Sequence, residues 1–175
     1  MTAAGLTGGI TTLQRADHLL RRLAERLPLP AGAFATTHLV RDPDPGVALA
    51  LVLPGPGPLP GTLAGAAAGE GLAVVTGTPW LADAERRAAG RAVVFPGSEA
   101  LPDSLTLADL YATTAVGRAE VLGGTVPDPG AYLDTCGHVR PQWEGGELLL
   151  RLMPSRGGRY VPFEIPDPHP CCGGH

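Results

Sequence analysis

Between residues 72 and 122, short apolar runs alternate with helix-like ones, and this alternation constrains the fold more than any other feature. Residues 72–76, 91–95 and 116–122 read as strands. Thr78-Pro79-Trp80 opens a helix, with Thr78 as N-cap, Pro79 at the first helical position and Gly90 beyond the end. Residues 104–111 read as a further short helix. Such alternation calls for a sheet with helices packed on it.

The flanks of this stretch have a different character. Leu13, Ala16, Leu20, Leu23 and Leu27 recur at helical spacing, so residues 11–27 read as an amphipathic helix. Thr11 or Thr12 caps its start, and Pro28 and Pro30 stop it. Residues 34–40 and 47–53 read as strands joined by Arg41-Asp42-Pro43-Asp44-Pro45-Gly46, which has the chemistry of a hairpin turn. Pro54 to Gly61 alternates proline and glycine and reads as a rigid connector, followed by an Ala-rich helix over about 61–69. Near the end, residues 148–153 and 160–165 pair as a hairpin across Pro154 to Gly158. The expected fold is therefore α/β, a mixed β-sheet with packed helices and an antiparallel C-terminal hairpin. One domain is expected over residues 1–175, with residues 131–175 as its metal-binding portion.

Composition narrows the chemistry. All thirteen basic residues are arginine, and with no lysine there is no Schiff-base or Walker A lysine. A net charge of −4 with scattered arginines argues against a nucleic-acid partner. No apolar run approaches the roughly 20 residues of a membrane helix. Met1 to Ile10 lacks the layout of a secretory signal. Three cysteines do not make a disulfide framework, which fits a reducing cytosol. The Ala, Gly, Pro and Arg bias points to a GC-rich bacterial genome.

The clearest chemical signal is a split cluster of soft donors. Cys171, Cys172, His169 and His175 lie within the last seven residues, and Cys136 and His138 form a second group. Thiolate and imidazole are the usual ligands of zinc and softer metals. Cys172-x-x-His175 has a short metal-knuckle bite, and an extended Cys136-x-His138 turns both side chains to one side. The preferred ligands are Cys136, Cys171, Cys172 and His175, with His138 and His169 as substitutes. The cofactor is zinc or another transition metal.

Four protein ligands would close the site, whereas three would leave a position for an acidified water and metal-assisted hydrolysis or water addition. Asp134, Glu164 and Asp167 are the nearby carboxylates for a general base. Besides the metal ion, a protein partner or a homo-oligomer fits a tail that docks in a larger complex. Cys171-Cys172-Gly173 also resembles the tails of mercuric reductases and some thioredoxin reductases. That resemblance implies soft-metal handover or a redox dithiol, without the flavin- and nucleotide-binding signatures of those families.

Other residues have plainer readings. His18 falls on the polar face of the first helix, and His38 reads as a surface or satisfied core histidine. Trp143 is expected in core or rim packing, with an exposed stack on Arg140 as the alternative.

Overall fold

The computed structural model describes residues 1–41, 45–55 and 61–165. Within them the chain is an α/β structure with one mixed sheet. The strands are β1 (Thr2–Thr7), β2 (Phe34–Val40), β3 (Gly46–Leu53), β4 (Ala73–Val75), β5 (Arg91–Val94), β6 (Ser104–Thr106), β7 (Val116–Val121), β8 (Tyr132–Asp134), β9 (Gln142–Glu144), β10 (Glu147–Pro154) and β11 (Tyr160–Pro162). The helices are α1 (Leu13–Arg26), α2 (Leu63–Gly69), α3 (Pro79–Glu85) and α4 (Leu107–Thr113).

The strand order is β4-β1-β3-β2-β5-β9-β10-β11-β8-β6, with β7 parallel to β10 on its other edge. The sheet has two halves that meet where β5 pairs β9 at Arg91 and Gln142. Two backbone bonds reinforce this join: Ala92 N–H donates to Pro141 O at 2.7 Å, and Trp143 N–H to Gly90 O at 2.9 Å.

Alternation along β3 explains how both faces are covered. Val47, Leu49, Leu51 and Leu53 pack with Leu20 and Leu23 of α1 and Leu63 of α2. Ala50 and Val52 face the opposite cluster, which holds Leu81 of α3 and Leu107 and Leu110 of α4. A strand buried on both faces has no polar row, which is why residues 47–53 read as a continuous apolar run. In β10, Leu148, Leu150 and Leu152 join the second cluster and are at most 1% exposed. Each fully buried leucine contributes about 1.5–3 kcal/mol.

The expected C-terminal hairpin is present, with Leu152, Met153 and Pro154 opposite Pro162, Val161 and Tyr160. Its second strand stops at Pro162 rather than residue 165. The β2–β3 hairpin also forms, in a register from Phe34↔Val52 to Val40↔Gly46. Its turn at residues 42–44 lies outside the described residues, as does most of the proline-glycine connector, 56–60. Thr12 is the cap of α1, its hydroxyl accepting from Arg15 N–H.

Two sequence expectations need correction. Residues 104–106 are strand, and helix begins only at Leu107, where the Thr106 hydroxyl accepts from Asp109 N–H. The helix opened by Pro79 ends at Glu85, well before Gly90. Its end carries a paired closure in which Arg87 N–H bonds Ala84 O and Ala88 N–H bonds Asp83 O. That is the Schellman pattern, with Arg87 at the left-handed position glycine usually takes. Thr78 holds the N-cap position but makes no side-chain cap bond.

Candidate functional site

The parallel pairing of β8 with β11, Tyr160 opposite Leu133, sends both strands out of the sheet in the same direction. After β8 comes Thr135-Cys136-Gly137-His138. His138 N–H bonds Thr135 O at 2.9 Å, closing a tight turn. Its central residues Cys136 and Gly137 have φ of 53° and 62°. Two successive positive φ angles suit Asn-Gly or Gly-Gly, so a cysteine here is conformationally costly. Thr135 anchors the turn by donating its hydroxyl to Pro102 O at 2.8 Å. Cys136 is exposed, and its thiol lies 3.6 Å from Asp134 O.

Residues leaving β11 come back beside this turn. His138 is buried, and its Nε2 lies 3.2 Å from Glu164 Oε1. Nδ1 makes no hydrogen bond among the described residues. Glu164 also takes Arg91 Nε–H, at 2.9 and 2.7 Å to its two oxygens, and an Arg91 Nη2–H. Arg91 in turn grips Asp17 of α1 with Nη1 at 2.5 Å and Nη2 at 3.0 Å. Arg140 completes the set, donating Nε–H to Asp17 at 2.7 Å and Nη1–H to Val139 O at 2.8 Å.

This network, buried except at the partly exposed Glu164, spans α1, β5, the segment before β9 and the segment after β11. It clamps the join between the sheet halves and fixes Glu164 against His138. Burial opposes ionisation of Asp17, but the bonds from Arg91 and Arg140 prevail and hold its carboxyl below the ordinary value. Glu164 is likewise pushed up by burial, then drawn down to about 2 by His138 and Arg91. Burial pulls the Arg91 guanidinium down, and Glu164 and Asp17 more than restore it.

The carboxylates considered as general bases are thus otherwise engaged. Glu164 binds protons too weakly to be a base near neutrality, and Asp134 is held low by its bond from Arg159. Asp167 lies outside the described residues, and so do His169, Cys171, Cys172 and His175. The structure therefore brings His138 to Glu164 and leaves Cys136 exposed nearby on the same turn. Among the described residues, no three His, Cys, Asp or Glu side chains are grouped to hold a metal ion.

Beside the turn lies a cavity of about 390 Å³ lined by Arg21, Glu25, Glu99, Thr135, Gly137 and Arg140 among others. Sequence reading missed the clamp. Its one available signal was Asp17, an acid on the apolar stripe four residues after Leu13 and three before Leu20. Trp143 packs in the core, as expected. It is buried against Phe34 and Arg87, while Arg140 turns to Asp17. His38 is a satisfied core histidine, 2.8 Å from the Thr36 hydroxyl and beside the Trp80 ring. Desolvation lowers it to about 4. His18 is exposed, as its place on α1 predicts.

No helix among the described residues is long and apolar enough to cross a membrane. No protein family, curated protein or solved structure matches this chain.

Proposed function

We propose that this chain is a bacterial, cytosolic metalloprotein with zinc as the leading ion, held by Cys136 or His138 together with donors from residues 169–175. The observation that supports it is the Glu164–His138 bond. A metal-ligating histidine characteristically gives its other ring N–H to a carboxylate, which orients the ring and strengthens it as a ligand. With Nε2 held by Glu164, Nδ1 is the free donor. Glu164 is also five residues before His169, so the second donor group is tethered close to the first. Cysteine in a left-handed turn position adds support, because strain of this kind is retained where a side chain has a task.

The neighbouring 390 Å³ cavity favours an open metal over a closed one. Metal-assisted hydrolysis or water addition is then the natural chemistry, with Arg21 available to an anionic group. A noncatalytic role in soft-metal transfer is the second reading, and the exposure of Cys136 favours it. Elemental analysis of the purified protein is expected to find about one equivalent of transition metal. Metal-free protein with three titratable thiols overturns the proposal. Cys172→Ser that loses both metal and fold indicates a closed structural site. The same variant losing metal alone indicates catalysis or transfer, and a Cys171–Cys172 disulfide couple indicates redox work.

A further inference from the structure

On the opposite face of the β5–β9 join, a second site is built from donors that have no acceptor. Trp143 is 8% exposed, yet its indole Nε1 is buried without a hydrogen-bond partner. Arg87 Nε is buried and unpartnered as well. Both side chains line one cavity of about 230 Å³. Buried polar groups in folded proteins are almost always bonded, so two orphan donors on side chains that line one cavity call for an acceptor.

The arginine is held there at some conformational expense. Arg87 has φ 58° at the closure of α3, where glycine would be relaxed. This places its guanidinium carbon 5.0 Å from the Trp143 ring centre and 5.4 Å from that of Phe34. Contact with both rings holds the guanidinium over them and leaves its Nε without a partner. The guanidinium makes no ion pair or hydrogen bond among the described residues. Arg87 and Cys136 are the two non-glycine residues with positive φ among the described residues. Both present a chemically able side chain.

The cavity itself owes its room to missing side chains. Gly32, Gly117 and Gly146 are in its lining. A Cβ on Gly117 would meet only the Glu147 side chain, at an ordinary 3.6 Å. Glu147 is the one acid in the lining and disfavours a multiply charged ligand.

We infer that the Arg87–Trp143 cavity binds a carboxylate, from a free small acid or from the C-terminus of a peptide. A planar monoanion with two acceptor oxygens matches a guanidinium held over two rings plus an indole N–H. The volume admits a small group rather than a nucleotide. The site is separate from the proposed metal centre and does not depend on it.

The test follows the Trp143 indole N–H by proton–nitrogen NMR, with the two indole signals assigned using Trp80→Phe. Acetate and N-acetylglycine, titrated at constant ionic strength, are expected to shift that signal saturably, with chloride as the control anion. Arg87→Gly suits the left-handed backbone and keeps the fold; it should weaken binding at least about tenfold. Gly117→Val fills the cavity without touching either donor and should abolish binding. Tighter binding of N-acetylglycine than of acetate assigns the site to peptide termini, and equal binding assigns it to free acids. A shift that does not saturate, that chloride reproduces, or that survives both substitutions overturns the inference and leaves Arg87 and Trp143 as hydrated donors.

Discussion

Arg87 and Arg91 stand four residues apart, reach opposite faces of the same strand join, and meet opposite circumstances. Arg91 is buried and bonded to Asp17, Glu164 and Thr37. Arg87 lies over two adjoining aromatic rings, and its Nε has no acceptor. The difference separates two uses of one residue type. A guanidinium whose donors are consumed by the protein's own carboxylates holds chain segments together. A guanidinium held over aromatic rings, with its Nε unspent, is held for something else.

The sharpest way to break this comparison is at Arg91. Arg91→Met keeps the aliphatic bulk but leaves Asp17 and Glu164 without their shared cation. Removing one partner of a fully buried ion pair costs about 3–5 kcal/mol. Here Asp17 stays buried but keeps Arg140, and the Glu164 side chain is 34% exposed, so the low end of that range applies. Urea denaturation should show a loss of that size. A loss under about 1 kcal/mol would mean that Arg140 and His138 suffice, and that Arg91 is no more structural than Arg87.

Acid should separate the two faces next. His38, on the α3 side, is lowered from 6.5 to about 4. A lowered folded-state value favours the neutral ring, so its contribution is full above pH 6.5 and disappears as pH falls through 4. It amounts to at most about 3 kcal/mol. Glu164, on the α1 side, is lowered from 4.5 to about 2, so its contribution persists until pH drops below 4.5. Stability measured against pH should therefore decline in two stages. His38→Gln should erase the upper stage, and Glu164→Gln should reduce the lower, to which Asp17 and Asp134 also contribute. A single stage below pH 4.5 would show that His38 does not titrate with unfolding.

How far each region was legible in the sequence follows from the same physics. Long periodic segments were readable: α1, the β2–β3 hairpin and the strands at 91–95 and 116–122. The missed strands β6, β8 and β9 are three residues each, with one buried residue between partly or fully exposed ones: Leu105, Leu133 and Trp143. Periodicity has nothing to grip in three residues. β1 is rich in alanine and glycine and lacks strand propensity; it is strand because β3 and β4 pair with it on both sides. Gly5 is required there, since a Cβ would come within 2.5 Å of the Trp80 ring. The charged clamp joins residues 17, 91, 140 and 164, so its existence depends on topology that local patterns do not carry. Cys136 and His138 were identifiable as a pair by residue type, but the carboxylate behind His138 was not.

The smallest expected effect is the most discriminating. Arg87→Gly relieves left-handed strain of about 1–2 kcal/mol at the end of α3. It also forfeits two cation–π contacts at about 0.5–1 kcal/mol each and frees an unsatisfied buried N–H. These contributions nearly cancel, so the thermal midpoint should move little in either direction. Were Arg87 a structural counterpart of Arg91, its removal would cost several kcal/mol, as breaking the clamp does. A near-neutral result fits a residue whose place in the fold is energetically optional. An arginine retained at the one position of the closure where glycine is less strained, with no net gain in stability, is then explained by what its free edge can hold.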